Sequence, residues 1–111
     1  MVYQFKPRKS FEHNLSKLAQ LDFTIVDEAK DAINILLNGD PLPKEFNDHQ
    51  LVGNLANYRE FHLRDTPRGQ HPTETNDVLV IYKIENQDLV LVAINIGSHS
   101  KLFQGRYRKY K

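Results

Sequence analysis

Apolar positions change their period midway along the chain, and the change separates helices from strands. In the first half Phe11, Leu15 and Leu18 recur at helical spacing, with Ser10 as the expected cap. Ile25, Ala29, Ile33, Leu36 and Leu37 form a second helical stripe. Thr24, with Asp27 three residues on, approximates a capping box at its start, and the acidic first turn suits the helix dipole. Asn38 and Gly39 end this helix, and Pro41 and Pro43 prevent its continuation. The two stripes predict an αα-hairpin.

The second half is written in strands. Residues 78–84 (VLVIYKI) and 89–96 (LVLVAINI) are rich in β-branched side chains and are separated by the polar turn ENQD. Such nearly continuous apolar runs lie mid-sheet or are covered on both faces. Residues 58–63 alternate instead: Tyr58, Glu60 and His62 share one face, while Phe61 and Leu63 look inward with Arg59 on the other. Residues 2–5 suit a short edge strand ended by Pro7. Residues 64–76, RDTPRGQHPTETN, are too polar and proline-rich for a core, so a long exposed hairpin loop with a solvated His71 is expected. The fold class is therefore α+β, an N-terminal helical hairpin packed on a mainly antiparallel sheet. With 111 residues there is room for one domain, since domains commonly run to about 100–150 residues.

Composition narrows the setting. Hydrophobic content of 40% with scattered charge is globular, and no run approaches the roughly 20 apolar residues of a membrane span. The amino end, MVYQFKPRK, lacks the apolar core of a signal peptide, so a soluble, cytoplasmic protein with no membrane partner is expected. The absence of cysteine excludes disulfides and thiolate metal sites. Net charge is only +1, but it is unevenly spread: Lys6, Arg8, Lys9 and Lys17 load the start, and Arg106, Arg108, Lys109 and Lys111 load the end. Interleaved with Tyr107 and Tyr110, the basic end suits a phosphate backbone with exposed bases, or else a solvated tail that aids solubility.

Three histidines gather around the expected sheet. His49 precedes the strand that carries His62, His99 emerges in GSHS directly after the last strand, and Asp77 opens the strand antiparallel to that one. Each has an ordinary role open to it: a local Asp48–His49 turn, a core-edge histidine at 62, a terminal turn capped by serines, a strand-start aspartate. Together they describe a site drawn from strand ends and loops on a rigid sheet. Such a set could bind zinc, but the helical HExxH spacing is missing.

The order DHQLVGNL (48–55), YREFHL (58–63), DVLVIYKI (77–84) and GSHSKLF (97–103) resembles the YafQ branch of the RelE/ParE superfamily, bacterial type II toxins that cleave messenger RNA on the ribosome. The upstream LLNGDPLP (36–43) fits as well, so the resemblance covers nearly the whole chain. It implies a small RelE/ParE-like domain, a ribonuclease that needs no metal or cofactor, and two kinds of partner. These are the ribosome with its message, and a cognate antitoxin that neutralises a toxin expected to be monomeric when free. By the resemblance, His49, His62, Asp77 and His99 are the active-site residues and Phe103 an aromatic near the substrate. Cleavage by the RNA's own 2′-hydroxyl needs a base for that proton and an acid for the leaving 5′-oxygen, and imidazoles can serve both roles near neutral pH. His62 and His99 are the expected proton-transfer pair, with Asp77 orienting or charge-stabilising a histidine and His49 contacting phosphate or assisting transfer.

The chain departs from the family pattern in three places. Asn95 stands where many relatives carry an arginine, removing a phosphate clamp unless Lys83, Lys101 or Arg106 supplies the charge. The 64–76 loop is longer than in relatives, and Lys101 replaces a common acidic residue. A weakened toxin that only binds RNA or antitoxin, or a gyrase poison of the ParE kind, is the alternative.

Overall fold

Ile25, Ala29, Ile33, Leu36 and Leu37 form the buried side of a helix, as their spacing predicts. The computed structural model describes residues 1–103, so the basic tail with Arg106 lies outside the described residues. Helices α1 (Lys9–Leu21) and α2 (Thr24–Leu37) are the two expected ones, but their starts are built differently. Arg8 rather than Ser10 is the N-cap of α1, and the Ser10 hydroxyl donates to the Ile94 carbonyl at 2.5 Å, fastening the helix to the sheet. At α2 the capping oxygen belongs to Asp22, whose Oδ1 accepts from the Thr24 amide at 3.1 Å and the Thr24 hydroxyl at 2.5 Å. A carboxylate is a stronger acceptor for the first free amides than a hydroxyl. Gly39, at φ +82°, ends α2 in a left-handed turn that favours glycine.

Five strands form one sheet in the order β1-β5-β4-β3-β2: β1 (Gln4–Pro7), β2 (His49–Gln50), β3 (Arg59–Arg64), β4 (Val78–Glu85) and β5 (Val90–Gly97). Only the β1–β5 pair is parallel. The edge position of β1 lets Pro7 close it without breaking a ladder on both sides. A single helical turn, α3 (His99–Leu102), follows β5.

The near-continuous apolar run of β4 is explained by its central place. Val78, Val80 and Tyr82 face the helices together with Phe61, Leu91, Ala93 and Ile96, while Leu79 and Ile81 pack on the opposite face with Leu51, Leu102 and Phe103. The Val, Leu, Ile and Phe side chains among them contribute about 1.5–3 kcal/mol each on full burial. The larger cluster carries the fold; the smaller one is the floor under the histidines.

Residue 64 is not in the loop, as its polar neighbourhood had suggested, but ends β3. The register shifts between His62 and Arg64, and the Arg64 guanidinium turns to the helices. It meets Glu28 with two nitrogens at 2.8 and 2.7 Å, Asp22 at 2.9 Å and the Thr75 carbonyl at 2.9 Å. Hydrogen bonds from Thr24 and Arg64 hold the Asp22 carboxyl below its ordinary range. Arg64 therefore clamps both ends of the β3–β4 connection onto the helical hairpin. His71 is exposed within that connection. Asn76 pins the connection's last turn by accepting from the Thr73 amide at 2.7 Å and donating to the His71 carbonyl at 3.1 Å. The next residue, Asp77, is thereby presented at the start of β4. Among the described residues no helix is long and apolar enough to cross a membrane.

Candidate active site

Strand register brings the histidines together. His49 is the direct partner of Glu60, Glu60 of Ile81, and Ile81 of Asn95, giving one row across four strands. The neighbouring row runs His62, Leu79, Gly97, and continuing its register by two positions sets Asp77 opposite His99. Side chains two apart on a strand share a face, so Glu60 and His62 stand side by side. Ring centroids of His49 and His62 lie 6.2 Å apart, those of His62 and His99 5.6 Å, and those of His99 and Phe103 6.2 Å.

Each imidazole is held by its own acceptor. The His49 Nδ1 donates to the Asn47 carbonyl at 2.6 Å and its Nε2 faces Glu60 Oε2 at 3.3 Å. Asn47 reaches that position through a left-handed backbone, φ +47°, which asparagine tolerates better than most residues. His62 lies between two carboxylates, Nε2 3.4 Å from Glu60 Oε2 and Nδ1 2.6 Å from Asp65 Oδ1. A carboxylate only accepts, so both ring nitrogens donate. The Glu60 hydrogen bond, and after it that of Asp65, outweighs desolvation and pushes His62 up to about 9. His99 differs: its Nδ1 meets Asp77 Oδ1 at 2.7 Å and its backbone amide donates to Asp77 Oδ2 at 2.9 Å, which leaves Nε2 on the open side of a ring 39% exposed. Ser98 takes the capping role, accepting from the Lys101 amide at 3.3 Å.

Asp48, legible only as a turn residue, anchors β2. Its carboxylate accepts the Tyr82 hydroxyl at 2.7 and 2.9 Å and the Arg59 Nε at 3.3 Å. Burial first, and the neighbouring carboxylate second, raise the Tyr82 hydroxyl above its ordinary range. The anchor fixes the residue that follows it, His49.

Beside the histidine rows, over Ile81, lies a groove of about 400 Å³ lined by Arg8, Asn54, Tyr58 and Asn95 among others. Asn95 does not hang free there: its Oδ1 accepts from Asn14 Nδ2 at 2.6 Å and from the Ile96 amide at 2.9 Å. Lys83 pairs with Glu85 at 3.2 Å and stands 6.0 Å from the Tyr58 ring centroid; Lys101 pairs with Glu74, in the β3–β4 connection, at 3.0 Å.

The family model described as the bacterial toxin of type II toxin-antitoxin system, YafQ, matches residues 3–104 of this sequence. The chain belongs to the YafQ family of type II toxins. A Haemophilus influenzae relative bearing the YafQ name is 32% identical over 100 residues, covering 85% of this chain and 87% of that protein. A metal-bound toxin from Helicobacter pylori superposes with a TM-score of 0.75 at 29% identity, covering 93% of this chain and all of that one. The toxin-antitoxin complex of DinJ and YafQ from Escherichia coli gives 0.68 at 27% identity, covering 93% and 99%.

Of the residues expected in a YafQ-type site, His49, His62, Asp77, His99 and Phe103 come together, with Phe103 buried at 3% exposure beneath His99 rather than standing in the open. Asn95 lies one strand beyond Ile81, in the groove. Arg106 lies outside the described residues. The sequence reading left out Glu60, Asp65 and Arg8. Alternation had placed Glu60 on the His62 face, which was its signal; Asp65 sat in what read as solvated loop, and Arg8 in a general basic patch.

Proposed function

We propose that this YafQ-family toxin is a ribosome-dependent messenger RNA endoribonuclease that cleaves by acid-base catalysis and is silenced by a cognate antitoxin. The carrying observation is the unlike setting of two neighbouring histidines. His99 donates Nδ1–H to the buried Asp77, which fixes the tautomer and leaves Nε2 as proton acceptor. His62 is cationic between Glu60 and Asp65. In this reading His99 takes the 2′-hydroxyl proton as the 2′-oxygen–phosphorus bond forms. His62 stabilises the phosphorane and gives its proton to the 5′-oxygen as the phosphorus–5′-oxygen bond breaks. His49 contacts phosphate; Glu60, Asp65 and Asp77 are positioning residues. Phe103 backs the His99 ring.

The groove beside the row takes the adjoining nucleotide, with Tyr58 as a stacking surface and Arg8 supplying the charge that Asn95 lacks. Lys83 and Lys101, each paired with a glutamate, are less available for it. The Escherichia coli relative occurs with DinJ, which supports an antitoxin partner here as well.

Induced expression followed by mapping of message ends separates the readings. Cuts within translated messages are expected. Intact messages with broken DNA would indicate a gyrase poison, and intact messages with intact DNA a protein that binds without cutting.

A further inference from the structure

An imidazolium has two N–H groups, and in His62 both are already engaged. Nε2 faces Glu60 Oε2 at 3.4 Å and Nδ1 faces Asp65 Oδ1 at 2.6 Å. His62 therefore reaches a substrate oxygen only after one carboxylate lets go. The two are unequally held. Glu60 is buried on β3 and lies against His49 as well, whereas the Asp65 side chain is 61% exposed on the β3–β4 connection. The chain either side of Asp65 is pinned: Arg64 is paired in β3 and clamped to Glu28 and Asp22, and the Thr66 hydroxyl donates to Asn76 Oδ1 at 3.1 Å. Release thus asks for a side-chain rotation and no movement of the connection. The same connection covers a second cation, since Glu74, 52% exposed, pairs with Lys101 at 3.0 Å, two residues after His99. The carboxylates of the site accordingly fall into two sets: buried ones in β3 and at the start of β4, Glu60 and Asp77, and exposed ones on the connection.

We propose that Asp65 is an anion gate: in the free chain its carboxylate occupies the outward N–H of His62, and the phosphodiester of the RNA displaces it on binding. One anionic acceptor replaces another, so the ring keeps its charge while Nδ1–H passes from the protein to a substrate oxygen. Glu60 retains Nε2 and with it the position of the ring. An exposed ion pair is weak enough to be exchanged in this way. A phosphate held by contacts along the rest of the message competes at high local concentration, whereas a loose anion competes only by its bulk concentration. The part played by the message rests on the nuclease reading given above; the exchange of anions at His62 does not.

The test compares Asp65→Ala with Asp88→Ala, which removes the same charge from the exposed β4–β5 turn at the far end of β4. Inorganic phosphate is titrated into each purified chain at pH 6, and the ring nitrogens of His62 are followed by NMR. The parent should bind phosphate saturably at Nδ1, and Asp65→Ala should bind it about two- to fivefold more tightly, the range for loss of an exposed pair. Asp88→Ala should match the parent. In single-turnover cleavage on programmed ribosomes, Asp65→Ala should reach half its maximal rate at a toxin concentration about two- to fivefold lower, with the maximal rate undiminished. Phosphate that leaves Nδ1 unmoved, or affinities equal in Asp65→Ala and Asp88→Ala, overturns the gate. A maximal rate that falls in Asp65→Ala also overturns it, because the carboxylate then supports the ring throughout the reaction. A chain that shows the phosphate exchange but leaves message whole upholds the gate and contradicts the nuclease reading.

Discussion

His49 and Glu60 are direct cross-strand partners, and the same carboxylate oxygen that lies 3.3 Å from His49 lies 3.4 Å from His62. One buried carboxylate thus faces two imidazoles, and its hydrogen bond is the largest cause of the raised His62 value. The ionisation of His62 is the most sensitive reporter of that arrangement.

Raised by its Glu60 and Asp65 hydrogen bonds from 6.5 to about 9, His62 binds its proton more tightly in the folded state. Its stabilising contribution is complete below about 6.5 and is lost as pH climbs through about 9. Cleavage should decline over the same upper limb as the acid loses its proton. Glu60→Gln should move that limb, and the His62 titration followed by NMR, to lower pH; an unmoved titration would show that Glu60 does not hold the charge.

Replacement of either member of the proton-transfer pair should be severe. His62→Gln and His99→Ala are each expected to lower single-turnover cleavage by about 10²–10⁴, the range for a lost acid or base, with far-UV circular dichroism unchanged. A variant that cuts at the parent rate removes its residue from the mechanism.

Asp48 carries stability rather than chemistry. Asp48→Ala leaves the buried Tyr82 hydroxyl without its acceptor and should cost about 1.5–3 kcal/mol in urea unfolding. Combining it with Tyr82→Phe should recover part of the loss, because the orphaned group goes too. Additive losses would mean that the pair is not coupled.

The groove prediction concerns Arg8 and Asn95. Arg8→Ala should slow cleavage by roughly tenfold to a hundredfold, the equivalent of about 1.5–3 kcal/mol for a charge-assisted hydrogen bond. Asn95→Arg should change little while Arg8 is present, and should rescue Arg8→Ala. Neutral behaviour of Arg8→Ala in single-turnover assays at several salt concentrations would remove Arg8 from the phosphate.

Much of this was legible in the sequence, for reasons that also explain the remainder. The β4 run and the α2 stripe are long periodic signals, and both elements lie close to where those signals put them. Asp77 and His99 could be placed at the same end of the antiparallel hairpin, but their pairing depends on the register shift between Ile81 and Tyr82, without which Asp77 would oppose Ser98. Residues held by tertiary contacts could not be found that way. Arg64 looked like a loop residue because its partners, Asp22 and Glu28, are far away in sequence. Asp48 looked like a turn because Tyr82 lies 34 residues on. The contact of His49 with Glu60 carries no periodic signal because it is built by β2–β3 pairing plus alternation along β3, and the two-residue strand His49–Gln50 has no periodicity of its own.

The central claim is that side-chain imidazoles drive attack by the RNA's own 2′-hydroxyl, and the chemistry of the cut ends tests it most directly. The purified chain, stripped with chelator and added to programmed ribosomes whose magnesium has been restored, should release fragments with a 5′-hydroxyl on one side and a 2′,3′-cyclic phosphate on the other. His99→Ala should leave the message whole. Fragments with 5′-phosphate ends, or activity that returns only when zinc is added, would contradict the account.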